Sequence, residues 1–255
     1  MIIKDVILSA EKQLISDFLQ KFGLRYERDL DRTLYIEKNG AVVATVSSSK
    51  YIIKCLAVDP AYRNENYAAV LVSELIKRFH DEGIVYYQVF TKPEYRNVFK
   101  NLGFSDITET DKVCVLEGGD GDINSAINRL KLQLRFSLGT DGTDEKNDIG
   151  CVVVNGNPFT YGHLKLVEHI AAKHKIALVF VLEEEGSYFT FRERYAMAYL
   201  ALKSLDNVFV LPSTKYMVSC ATFPGYFLKS VDETTEEYAL YDASVFDKFF
   251  MPGLG

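Results

Sequence analysis

The 255-residue sequence predicts an α/β protein in two parts, an α+β domain followed by a domain built on a parallel sheet. Three observations carry this expectation. The first half alternates short β-branched runs with amphipathic stretches and holds one strong hairpin signal, Asn39-Gly40. The second half repeats a different unit, an apolar run of strand length followed by a helical period, at Cys151, Ile176 and Val208. Between them lies a tract rich in acids and glycine, the composition of a linker. The expected domains are residues 1–118, a connecting helix and acidic linker at 119–148, and a second domain at 149–255.

In order along the chain, Leu14, Ile15, Phe18 and Leu19 form the apolar stripe of a helix from about Glu11 to Phe22. Strands follow at Leu34 to Glu37, Ala41 to Ser47 and Tyr51 to Val58. Val58-Asp59-Pro60 then leads through Tyr62 and Arg63 into a helix, where Ala69, Val72, Ile76 and Phe79 share a face. A strand at Ile84 to Phe90, a helix near Glu94 to Asn101, and Val113 to Leu116 complete the first part. Ile123, Ile127, Leu130 and Leu134 repeat at helical spacing, and Gly139 to Asp148 reads as flexible linker.

Composition narrows the function. Apolar residues at 48% and charged residues at 25% are ordinary for a globular chain. A net charge of −6 leaves no basic footprint for nucleic acid. No apolar run is long enough to span a bilayer, and the N-terminus lacks a secretory pattern, so a cytoplasmic protein without membrane partners is expected. Cys55, Cys114, Cys151 and Cys220 are scattered, with no CxxC pair, and read as reduced thiols rather than a metal site.

The stretch from Cys151 to His174 holds the chemistry. Cys151 to Val154 is a run suited to a strand buried on both faces. Asn155, Gly156, Asn157 and Pro158 make a turn, because Gly and Asn tolerate positive φ and Pro blocks helix. From Tyr161 the spacing of Leu164, Val167 and Ala171 is helical. Such a strand–turn–helix start is an anion site, since unpaired N–H groups and the helix dipole point at the ligand. The bland alternative is an ordinary strand–turn–helix with one surface histidine.

Thr160-Tyr161-Gly162-His163 resembles the T/H-x-G-H signature of the nucleotidyltransferase superfamily, which has a Rossmann-like parallel sheet. That resemblance implies a nucleotide at Asn155, Gly156, Asn157, Pro158, Phe159 and Gly162, with His163 donating to the α-phosphate as charge builds there. Thr160 stands where many members have a histidine and offers a hydroxyl instead. Downstream, Glu183-Glu184-Glu185-Gly186 ends a strand, where a glutamate could hold Mg²⁺ indirectly or simply be solvated. Thr190 with Glu193 makes a capping box, and Arg194 is placed to clamp phosphate or to make a surface ion pair.

LAVDPAYRNENYA followed by FKNLGF resembles the GNAT acetyltransferase fold, whose V-x-P-x-x-R/Q-x-x-G-x-G/A loop wraps the pyrophosphate of acetyl-CoA. Here Arg63 matches, Asn66 replaces the first glycine and Ala68 stands at the second. Asn tolerates the left-handed region better than most residues, so binding of coenzyme A or docking remains open.

PSTKYMVSCATFPGYFLKS, Pro212 to Ser230, resembles the citrate lyase ligase family, which joins a GNAT-like domain to a nucleotidyltransferase domain carrying NPFTxGH, an arginine matching Arg194 and an ATFPxYFLK segment. The resemblance implies ATP with Mg²⁺, acetate, and the coenzyme-A-like prosthetic group on the acyl carrier subunit of citrate lyase. It implies an acetyl-adenylate, pyrophosphate and a thioester. Tyr216, Ser219, Thr222, Phe223 and Tyr226 are expected either to line the acid or arm or to pack in the core. Family members continue past the equivalent of Gly255 with a further strand and a second triphosphate-gripping motif, so the second domain is expected to be incomplete. Two other readings are a non-catalytic module binding coenzyme A or a carrier protein, and an adenylyltransferase making a dinucleotide.

Overall fold

The structure is a computed structural model describing residues 2–138, 148–183, 187–217, 223, 225–228 and 230–252. The chain forms two compact units, residues 1–121 with 224–237, and 122–223 with 238–255. The helix expected as a connector therefore counts with the second unit, and residues 224–237 with the first.

The first unit is a seven-stranded sheet in the order β1-β2-β3-β4-β5-β7-β6. Its elements are β1 (Ile3–Asp5), α1 (Ser9–Gln20), β2 (Arg32–Lys38), β3 (Ala41–Ser49), β4 (Ile52–Val58), α2 (Tyr67–Asp81), β5 (Tyr86–Thr91), α3 (Arg96–Asn101), β6 (Ser105–Glu109) and β7 (Cys114–Gly119). The hairpin forms as the sequence predicts, with Asn39 and Gly40 at φ 51° and 79°. Leu71, Val72, Leu75 and Phe79 of α2 bury their apolar stripe on Leu34, Ile36, Val46 and Val89. Each such side chain contributes roughly 1.5–3 kcal/mol relative to exposure.

The sheet opens in its middle, at β4. Thr45 pairs with Ala57 and Ser47 with Lys54, so Cys55 and Leu56 together oppose Val46 alone. This is a β-bulge, and Cys55 takes it at φ 54°. Bulges bend a strand, and β4 runs parallel to β5 for only two pairs, Ile52 with Gln88 and Ile53 with Val89, before the strands part. Nothing in the composition of this strand announces the bulge, because it holds no glycine.

The second unit is a parallel sheet, among the described residues three-stranded in the order β10-β9-β8. Here α4 (Ile123–Leu138), β8 (Ile149–Val154), α5 (Tyr161–Lys173), β9 (Ile176–Val181), α6 (Phe191–Leu202) and β10 (Val208–Pro212) follow in order. β9 is buried along its whole length, which is why its sequence is continuously apolar. Val179 and Val181 face Val167 of α5 and Ala198 and Leu202 of α6, whereas Phe180 meets Phe246 at 6.3 Å between ring centres. α4 packs against β10, with Ile123, Ile127, Leu130 and Leu134 buried. α7 (Val231–Val245) continues as one π-helical turn, Phe246–Phe250. Gly150 is required by packing: a Cβ there would lie 2.4 Å from His174 Cδ2 and 2.5 Å from Ile170 Cγ2.

Candidate functional site

In the second unit β8 ends at Val154, and the chain reverses through Asn155, Gly156, Asn157 and Pro158. Gly156 sits at φ 60°, and the Asn157–Pro158 peptide is cis. Thr160 then caps α5. The Thr160 backbone N–H donates to Nδ1 of His163 at 2.9 Å, and the Thr160 Oγ1 lies 2.9 Å from the same nitrogen. A backbone amide can only donate, so Nδ1 is the acceptor and the proton of the neutral ring is on Nε2. Phe159 stacks on the ring at 5.3 Å and fixes its plane. His163 thus stands at a helix N-terminus with its outer nitrogen a donor.

Gly162 bears on whether an anion fits here. It is exposed, and a Cβ would meet only the Thr160 Oγ1, at 3.7 Å. The fold itself leaves room for a side chain, so the missing one keeps the first turn of α5 uncovered. That is the condition for a phosphate to approach its amides.

Arg194 departs from the expected phosphate contact. It is fully buried. Its Nη1 donates to the Asn155 carbonyl at 2.7 Å, the Asn155 Oδ1 at 2.9 Å and the Leu182 carbonyl at 2.8 Å, and its Nε to the Phe189 carbonyl at 3.1 Å. A guanidinium so placed binds the turn after β8 to the loop after β9, and reaching a phosphate would strip these acceptors. The two asparagines serve the same joint. Asn155 Oδ1 accepts from the Ser187 hydroxyl at 3.3 Å and Asn157 Oδ1 from the Phe189 N–H at 3.0 Å. The capping box of Thr190 and Glu193 forms as predicted, and the caps it satisfies draw the Glu193 carboxyl below its ordinary value.

Of the other expected residues, Glu183 is exposed at the end of β9, and Glu184 and Glu185 lie outside the described residues. Tyr216 and Phe223 are buried: the Tyr241 hydroxyl donates to the Tyr216 carbonyl at 2.7 Å, and Phe223 packs on Tyr241 at 6.0 Å. Ser219 and Thr222 lie outside the described residues. Among the described residues no three side chains cluster as metal ligands. Burial pushes the Cys114 and Cys151 thiols up to about 12, and that of Cys55 higher, so none of these three is a thiolate at neutral pH.

The first unit holds a cavity of about 640 Å³ where β4 and β5 part. Leu56, Ala57 and Val58 form one wall and Thr91 and Lys92 the other. Arg63, Asn66 and Ala68 line its mouth. Asn66 adopts φ 60°, ψ 23°, the left-handed conformation that a glycine would take without strain, and α2 begins directly after it. Tyr226 and Phe227, from the ATFPGYFLK tract, also line the cavity. Sequence reasoning left Tyr226 between lining a substrate and packing in the core and missed Phe227, Thr91 and Lys92, because only the splay of the sheet brings them together.

The fold and these two sites define a class, a GNAT-type domain joined to an α/β ligase domain. Residues 8–104 match the acetyltransferase (GNAT) family, and residues 149–255 match the citrate lyase ligase C-terminal domain. The chain is 31% identical over 243 residues to citrate (pro-3S)-lyase ligase of Haemophilus influenzae, covering 95% of this chain and 70% of that protein. The same enzyme of Klebsiella pneumoniae is 28% identical, over 100% of this chain and 73% of its own. The chain therefore belongs to the citrate lyase ligase family. Among solved structures, Escherichia coli ElaA aligns with 46% of this chain and 99% of its own, at 16% identity and a TM-score of 0.41. No helix among the described residues is long and apolar enough to cross a membrane.

Proposed function

We propose that the second unit activates acetate with ATP and passes the acetyl group to the thiol of a coenzyme-A-like arm on the acyl carrier subunit of citrate lyase. The observation that carries this is the Thr160–His163 hydrogen bond, which leaves an Nε2–H donor beside the uncovered first turn of α5. Acetate is already ionised at neutral pH, so the reaction needs charge stabilisation rather than a strong base. An acetate oxygen attacks the α-phosphorus, the bond to the bridging oxygen breaks, and pyrophosphate leaves. The arm's thiolate then attacks the acetyl carbon, forming a thioester and releasing AMP.

His163 and the α5 amides serve the α-phosphate. The turn Asn155 to Phe159 holds the nucleotide against them, and Gly162 admits it. Arg194 acts as a positioning residue by fixing that turn. Mg²⁺ held by the triphosphate would neutralise its charge, and a cation that dehydrates so reluctantly would need no dedicated protein cage. Outside the transfer step, when its sulfur is not at the adenylate, the arm rests with its phosphate end at Arg63, Asn66 and Ala68 of the first-unit cavity. The test is pyrophosphate release with ATP and acetate, with and without deacetylated carrier subunit. Acetate-dependent release supports the reading; release that ignores acetate, or none, rejects it.

A further inference from the structure

The first-unit cavity has a direction. β4 and β5 are parallel and last pair at Ile53 and Val89, so the narrow end of the splay is there and the strands diverge toward Val58 and Thr91. Arg63 and Lys92 lie beyond those strand ends. The wide end is therefore cationic and opens at the start of α2, while the walls inward of it are apolar, Leu56, Ala57 and Val58 among them. A ligand matching this gradient is linear, anionic at one end and uncharged along its body. It enters with its uncharged end leading toward the vertex.

At the vertex stands a pair of aromatic rings. Phe90 is the first residue of β5 past the last pair with β4, and its carbonyl accepts the Tyr226 hydroxyl at 2.8 Å. Burial holds the Tyr226 phenol well above its ordinary value, so it is a neutral donor throughout the physiological range. Phe227 meets Tyr226 edge-on at 4.9 Å, and both rings are more than nine-tenths buried. The segment carrying them is clamped by one residue. The Arg25 backbone N–H donates to the Tyr226 carbonyl at 2.9 Å, and its guanidinium donates to the carbonyls of Gly225, at 2.5 Å, and Leu228, at 3.2 Å. A wall held at three carbonyls and one hydroxyl does not swing aside as an exposed side chain would.

We propose that Tyr226 and Phe227 are the specificity wall of this cavity: they stop a pantetheine-type arm at its sulfur end, admitting a free thiol or a two-carbon acyl group and rejecting longer acyl chains. This rests on the reading that the cavity receives the arm. A buried ring at the end of an apolar channel discriminates by overlap, and each extra methylene that does not fit costs about tenfold or more in affinity.

The test is isothermal titration of the 255-residue chain with coenzyme A, acetyl-CoA and octanoyl-CoA. The expected result is coenzyme A and acetyl-CoA binding within about threefold of each other and octanoyl-CoA at least about tenfold weaker. Phe227→Leu and Phe227→Ala, each checked for native circular dichroism, should recover octanoyl-CoA in the order of ring volume removed. Octanoyl-CoA binding as tightly as coenzyme A to the unaltered chain would overturn the wall while leaving the arm site standing. Unaltered discrimination in both folded variants would also overturn it. Binding of none of the three compounds would remove the arm site, and the wall with it.

Discussion

The Thr160 backbone N–H donates to His163 Nδ1 across the first turn of α5, at 2.9 Å. One hydrogen bond thereby sets both the orientation and the tautomer of the imidazole. The helix cap and the donor proposed for the reaction involve the same pair of residues, so on that proposal stability and chemistry are linked at this point.

His163→Ala removes the Nε2–H donor and leaves the Thr160 cap weakened. Loss of one transition-state donor typically costs about a hundredfold or more in turnover. Pyrophosphate release should fall by that factor with the KM for acetate little changed. Turnover within about threefold of the parent would take His163 out of the reaction.

Arg194→Ala should act on stability first. It leaves the carbonyls of Asn155, Leu182 and Phe189 without their guanidinium; an unmet buried acceptor costs about 1–3 kcal/mol, which applies in full to the buried Leu182 bond and less to the two part-buried ones. Arg194→Lys should recover little, because a point-like ammonium cannot span three carbonyls. Thermal melting of both variants checks this. An unchanged melting temperature with a raised KM for ATP would instead return Arg194 to the phosphate.

Asn66 holds a left-handed conformation at the mouth of the cavity. Asn66→Gly should leave stability unchanged or slightly raised and tighten coenzyme A, since it clears a side chain from the loop. Asn66→Ala should destabilise by about 1 kcal/mol, because alanine lacks the short polar side chain that lets asparagine take the left-handed region at reduced cost. Calorimetry of both variants separates the two effects; equal behaviour of Gly and Ala would contradict the role given to φ here.

Arg96 grips Asp106 with two hydrogen bonds of 2.7 Å, and Lys100 adds one of 3.0 Å. The Arg96 hydrogen bonds, followed by that of Lys100, hold the Asp106 carboxyl at about 2. A depressed value means the folded state favours the ionised form. The stabilisation is present above the unfolded value near about 4 and is lost as pH falls through about 2. Arg96 is 41% exposed, so solvent screening keeps the contribution of the pair small. Asp106→Asn should lower neutral-pH stability slightly, and the gap should close in denaturation curves taken near pH 2. A gap independent of pH would show that the loss is steric.

The hairpin at Asn39-Gly40, the amphipathic face of α2, the continuous apolar run of β9, the Thr190 cap and the strand–turn–helix holding His163 were all legible in the sequence. Each is a local property, set by residues within one or two turns of one another. β1, β6 and most of α7 were not legible. The two strands are short, and the first half of α7 carries too many acids to show a stripe.

What the residues alone determined is the class of each half and the family, because T-x-G-H, the ATFPGYFLK tract and the degenerate phosphate loop are patterns in the chain itself. Only the tertiary structure decided where the side chains of Arg194, Tyr226 and Phe227 lie. An arginine's partners here are carbonyls 39 and 12 residues away, and side-chain identity does not specify which long-range acceptor it finds. The cavity likewise exists because a bulge at Cys55 parts two strands, and that separation is a property of the assembled sheet rather than of any stretch of sequence.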